Sequence, residues 1–152
     1  MGIALLLAVG SLLASSGFHY AVLRWLSGGM ARIALPPSRR ILLMVFAILL
    51  AHLTEVLLYA GAYAAAGGWL GLGGFEGRPV EQPMDLLYFS IVTYTSLGFG
   101  DVVPTGHLRI VAGVEALNGL LLIAWSASFL YLAMGRLWPW QRCAAPPQRR
   151  RD

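Results

Sequence analysis

Seven consecutive residues, Thr95-Ser96-Leu97-Gly98-Phe99-Gly100-Asp101, bring together two hydroxyls, two glycines one residue apart and a carboxylate. The chemistry open to such a stretch is oxygen ligation. A cation leaving water must have its hydration shell replaced, and backbone carbonyls turned toward one axis can do this. Aiming successive carbonyls the same way needs backbone angles that residues with a Cβ resist, so glycine is expected at alternating positions. Gly98 and Gly100 supply it. A hydroxyl from Thr95 or Ser96 would add oxygen ligands at the inner end. Leu97 and Phe99 would point away from the axis and pack against the preceding helix, holding the ring of carbonyls open. Asp101 would cap the outer mouth, concentrate cations and lock the loop by hydrogen bonds.

Other polar residues stand inside apolar segments. His52 and Glu55, at i and i+3, share one helix face. Ionisable groups at membrane depth are costly and face protein or water. The expectation here is a buried polar pair packed on the short helix that precedes the glycine stretch. The alternative is a proton or metal role, though two such residues in one helix make a poor metal site. Glu115 is expected to be structural, bonding behind the glycine stretch. Asn118 reads first as a helix–helix hydrogen bond, with a place facing a central cavity as the alternative. Gly119 reads either as a point of close helix packing or as a gating hinge. An enzyme is not expected. There is no catalytic triad, Cys–His pair or phosphate loop, and His52, Glu55 and Glu115 do not follow a known ligand spacing. The single cysteine, Cys143, excludes an intrachain disulfide and a CxxC metal site.

The elements that must position these residues are membrane spans. Of the 152 residues, 58% are hydrophobic and 12% charged, too little polar surface for a soluble domain of this size. The formal charge is +4, and all eleven cations are arginine. They flank apolar runs, which points to orientation in a bilayer rather than to nucleic acid.

Residues 3–23 read as an apolar first span, retained rather than cleaved as a signal peptide because no positive region precedes it. Ser11, Ser15, Ser16, Gly10 and Gly17 give it a small-residue side suited to close packing. Residues 24–40 read as an Arg-rich loop, broken by Gly28-Gly29 and Pro36-Pro37. Together, residues 1–40 form an extra N-terminal helix and its loop. Residues 41–66 form the second span, and 67–83 an irregular Gly-rich loop. Pro83 and Asp85 announce a short helix running into the glycine stretch. It is too short to cross the bilayer, so residues 84–101 read as a re-entrant element whose helix presents its negative C-terminal end to a cation. Residues 108–137 form the third span. The basic tail, 138–152, is expected to be disordered.

Orientation follows from arginine. The first loop has four and the segment from Arg136 onward five, whereas residues 67–83 have one Arg and two Glu. The first loop and the tail are therefore expected in the cytoplasm, with the N-terminus and the mouth of the glycine stretch outside.

Ser96-Leu97-Gly98-Phe99-Gly100-Asp101 resembles the potassium-channel signature T-V-G-Y-G-D. The chain resembles the one-pore-loop potassium channel family over about residues 41–137. Pro104 soon after the signature and Gly119 well into the last span also fit. The resemblance implies an all-α membrane protein with an outer helix, a pore helix, a selectivity filter and an inner helix. Here that means three transmembrane helices plus the re-entrant pore helix and filter loop. It implies passive K+ conduction through an ion-binding stretch, Thr95 to Gly100, in which the carbonyls of Ser96, Leu97, Gly98 and Phe99 line the path and Gly100 shapes the outer mouth, with K+ the one metal ion bound and no cofactor. It places the chain in a bacterial-type plasma membrane. One pore loop cannot enclose an axis, so four copies are needed and a homotetramer is expected.

Three positions depart from the pattern: Ser96 stands for Thr, Leu97 for Val, and Phe99 for Tyr, losing a phenol hydrogen bond behind the filter. Tyr88, Phe89 and Tyr94 are expected to supply an aromatic cuff in compensation. The alternatives are a weakly selective cation channel and a non-conducting scaffold or partner subunit. Neither of the first two spans repeats Arg as a voltage sensor would.

Overall fold

The computed structural model describes residues 1–29 and 34–137. The 138–152 tail and residues 30–33 of the Arg-rich loop lie outside the described residues. Helix α1 is Gly2–Gly29, α2 Pro37–Gly68, α3 Pro83–Tyr94 and α4 Leu108–Leu137, with two short strands, β1 (Phe75–Gly77) and β2 (Val102–Pro104). Among the described residues, α1, α2 and α4 are long and apolar enough to cross a membrane. Large apolar side chains, including Leu6, Leu13, Leu50, Leu57, Leu120 and Leu121, face outward, as they do on a lipid-facing surface.

The first helix does not stop at residue 23. It continues through Arg24 to Gly29 because Leu23 and Leu26 are buried, packing with Met44 and Ile48 of α2. Its packing side is Ala4, Ala8, Ser11, Ser15, His19, Leu23 and Leu26, a stripe of three- and four-residue steps. Gly10 and Gly17, expected on that side, lie exposed on another. Pro37 opens α2 in its first turn, where the missing N–H leaves no bond unmade.

The loop 67–83 is not wholly irregular. β1 pairs antiparallel with β2, with Phe75 opposite Pro104, Glu76 opposite Val103 and Gly77 opposite Val102. The ribbon demands glycine at its tightest point: Gly77 has φ +94°, and a Cβ there would stand 2.2 Å from the carbonyl oxygen of Asp101. The backbone N–H of Arg78 donates to that same oxygen at 2.7 Å, tying the outer loop to the end of the glycine stretch.

Helix α3, with 12 residues, is about 18 Å long and cannot span hydrocarbon. Its start is held by Asp85, whose carboxylate accepts the backbone N–H groups of Gln82 at 2.9 Å and Glu81 at 3.1 Å. Those bonds hold the Asp85 carboxyl below its ordinary value. Its contribution to stability is therefore complete above the ordinary aspartate range and is lost as pH falls through the lowered native value. Asp85→Asn should flatten this acid limb of the melting temperature, measured by thermal unfolding in detergent across an acidic series, while leaving the neutral-pH helix content intact.

Two apolar clusters form the core. One gathers Val56, Tyr59, Tyr63, Phe89, Tyr94, Leu108 and Val111, and the other Leu23, Leu26, Met44 and Ile48. Between them along the helices stand His19, His52, Glu55 and Ser126.

Candidate functional site

The glycine stretch begins where α3 ends. The N–H groups of Ser96 and Leu97 turn back to the carbonyls of Thr93 and Val92, each at 2.9 Å, and Gly98 N–H reaches Val92 at 3.4 Å. Their donors are thus committed to the helix end. Ser96, Gly98 and Gly100 take φ of +56°, +57° and +78°, while Leu97 and Phe99 do not have positive φ. In backbone of alternating hand, successive N–H groups gather on one side, which leaves the carbonyls on the other. Among the described residues, no N–H or side-chain donor bonds to a carbonyl of residues 95–100. Six successive carbonyl oxygens are left free to take ligands.

The alternation involves three residues, not two. Ser96 adopts the left-handed region, which costs a residue with a Cβ about 1–2 kcal/mol. Nothing in its type signals this; only its spacing from the two glycines does. Thr95 donates its hydroxyl to Ile91 O at 2.7 Å, so its proton belongs to the helix end and its lone pairs remain free.

The supporting residues divide. Tyr88 touches the stretch directly: its hydroxyl donates to Asp101 Oδ2 at 2.9 Å, and its ring stacks on Phe99 at 6.5 Å between centroids and 5° between planes. Asp101 is locked from both its side chain and its carbonyl. Phe89 makes its aromatic contacts elsewhere, edge-on to Tyr63 and Phe75, each at 5.0 Å. It belongs to the core rather than to a cuff because α3 turns that face toward α2 and β1. Tyr94 is buried below the stretch, its hydroxyl donating to Glu55. Leu97, expected to pack against α3, is 58% exposed instead, because none of the described residues covers it.

Behind the stretch, α4 passes very close. A Cβ at Gly119 would lie 2.1 Å from Tyr94 O, so the residue permits a close approach. Asn118 does not line a cavity: it is 3% exposed and bonds to Ser15, Ser16 and Tyr59. Its amide needs partners in apolar surroundings, and the small-residue stripe of α1 provides them. Glu115 is buried, accepting from Tyr63 and, at 2.5 Å, from Ser90, whose hydroxyl also lies 2.9 Å from Val56 O. Ser90→Ala strips a donor from this buried carboxyl and should destabilise the fold by about 1–3 kcal/mol, read by denaturant titration in detergent.

His52 and Glu55 share a face, as their spacing requires, with His52 Nδ1 3.2 Å from Glu55 Oε2. They are not a pair alone. His19 of α1 puts Nδ1 2.8 Å from Glu55 Oε1. A reading of residues 3–23 as simply apolar passes over it. Its one signal is an imidazole in an otherwise apolar span, and its partner lies 36 positions away.

A family model described as "Ion channel" matches residues 41–134, more than half of the chain. The chain is 29% identical over 92 residues to the Two-pore potassium channel 1 of Arabidopsis thaliana, a match covering 58% of this chain and 25% of that protein. The match thus spans about a quarter of that relative's length. No solved structure matches.

Proposed function

The chain belongs to the ion channel family, of the one-pore-loop potassium-channel kind, and from that premise we propose that it is a potassium-selective channel carrying K+ passively across the membrane. The observation that carries this reading is the alternation at Ser96, Gly98 and Gly100, with the carbonyls of residues 95–100 free of hydrogen-bond donors among the described residues. Such oxygens can stand in for a hydration shell. In this reading α3 and the stretch form a re-entrant element entered from outside, α2 is the outer helix and α4 the inner one.

One chain supplies one quarter of the ring. The exposure of Leu97 and Phe99, at 58% and 64%, supports a homotetramer in which neighbouring copies cover these side chains. The balance of arginine supports a cytoplasmic C-terminus and an outer N-terminus. The C-terminal end of α3 favours a cation at the inner end of the ring.

A second reading, a weakly selective cation channel, is favoured by Phe99. It carries no hydroxyl, so it is held by stacking on Tyr88 rather than by a hydrogen bond of its own. Purified protein reconstituted in liposomes separates these readings. A reversal potential that follows the K+ gradient in mixed Na+ and K+ supports selectivity. One that follows total cation supports the second reading, and absence of flux supports a non-conducting subunit.

A further inference from the structure

The polar belt between the two apolar clusters draws on every long helix and on α3. Glu55 stands at its centre, fully buried as is His19, while the His52 side chain is 16% exposed. His19 Nδ1 lies 2.8 Å from Glu55 Oε1, and His52 Nδ1 lies 3.2 Å from Glu55 Oε2 and 2.8 Å from the Tyr94 hydroxyl. On the far side of the rings, His19 Nε2 and His52 Nε2 meet the same atom, Ser126 Oγ, at 3.0 and 3.1 Å. One donor atom from each of His19, His52 and Glu55 lies within 4.8 Å of the others.

Counting hydrogens limits what this arrangement can be. Ser126 has one hydroxyl hydrogen and two imidazole nitrogens to serve. With both rings neutral, Oγ either accepts from two Nε2–H groups, or accepts from one ring and donates its own hydrogen to the other. The first arrangement is the usual way a ligating histidine is oriented, its second nitrogen donating to an oxygen behind it. It leaves both Nδ1 lone pairs facing the carboxylate of Glu55, at 2.8 and 3.2 Å, an arrangement that positive charge between them would stabilise. In the second, one ring donates from Nδ1 to Glu55 and the network is complete without an ion.

We propose that the first arrangement is the working one, and that these gathered donors hold a divalent transition-metal ion of the zinc class through His19 Nδ1, His52 Nδ1 and the Glu55 carboxylate, with the Tyr94 oxygen as fourth donor. Imidazole with carboxylate suits zinc, copper and nickel rather than magnesium or calcium. Zinc bonds of about 2.0–2.2 Å place tetrahedral ligand atoms about 3.3–3.5 Å apart, so the 2.8 Å spacings would open by about half an ångström and the shorter Tyr94–Glu55 contact by more. Loss of the Tyr94 phenol proton to water would leave two negative ligands on a doubly charged ion, a neutral assembly suited to its buried place. This site is distinct from the carbonyl stretch, and its metal would pin α1 and α2 to the residue immediately before Thr95.

The test uses the full chain, stripped with chelator in detergent and then exposed to ZnCl2 or CoCl2 alone. The expected result is one tightly held metal per chain by elemental analysis and the visible absorption of tetrahedral cobalt(II). His19→Gln and His52→Gln should abolish both, and Ser126→Ala should weaken binding about 10–100-fold. His107→Gln, which removes an exposed imidazole outside the cluster, should change neither. A metal-free wild type, or metal retained equally by His19→Gln, overturns the proposal and leaves the second arrangement, a hydrogen-bonded network closed by one Nδ1–H on Glu55. The wild-type stoichiometry and spectrum need no variant, so a variant that fails to fold does not protect the proposal.

Discussion

Gly119→Ala should fail to accumulate as folded protein, or should unfold at a melting temperature well below that of the parent. The added methyl would meet Tyr94 O at 2.1 Å, with Tyr94 C and Cγ each at 2.9 Å. The first two of these are backbone atoms at the end of α3, so no side-chain rotation relieves the clash. Either α4 withdraws or the start of the glycine stretch moves. Overpacking of this kind costs about 1–3 kcal/mol where neighbours can yield, and more where they cannot. Thermal unfolding in detergent, with tryptic sensitivity of the 95–101 stretch alongside, measures it. Stability unchanged from the parent would contradict the close approach. A variant that is stable but conducts less would place the cost in the stretch rather than in the bundle.

Gly98→Ala should abolish K+ flux in reconstituted liposomes while the protein still folds. At Gly98 φ is +57°, and a Cβ added there would meet no neighbouring atom within 4 Å, so the penalty is conformational rather than a collision. That penalty is about 1–2 kcal/mol per chain. In the proposed ring of four it would fall on every copy at the same level, about 4–8 kcal/mol against keeping the carbonyls aligned. Ser96 already bears such a cost at φ +56°, so the backbone has little tolerance left on that side. Undiminished flux in Gly98→Ala would sink the assignment of the stretch to ion passage.

What can be read from the chain alone is what local chemistry determines. Three apolar runs are visible as runs, and alternating glycines at membrane depth are visible as an anomaly that lipid does not tolerate idly. What stays hidden depends on distance. The ribbon of β1 and β2 joins three-residue strands about 27 positions apart, and neither shows enough alternation to register as a strand. Ser96 has an ordinary residue type for an unusual backbone angle. Asn118 has two readings in the sequence, and only the small residues of α1 packed against it decide for the bond between helices. His19 loses its meaning in an apolar window because hydropathy averages over residues, whereas a binding cluster is made by single ones. Phe89 and Tyr94 stand out as aromatics near the stretch, but helix phase sends the first into the core and the second below the stretch.

Helix α4 is fastened to α1 at two levels, by Asn118 to Ser15 and Ser16 and, lower down, by Ser126 to His19. Beyond Ser126 the contacts are apolar, with Phe129, Leu130, Ala133 and Leu137 against Leu23, Leu26, Met44 and Ile48. A lever swings about its lowest clamp. If the C-terminal end of α4 moves during opening, the bend belongs below Ser126 rather than at Gly119, and the upper half travels with α1 as one beam. Spin labels at positions 122 and 134 would report this as motion at the second alone.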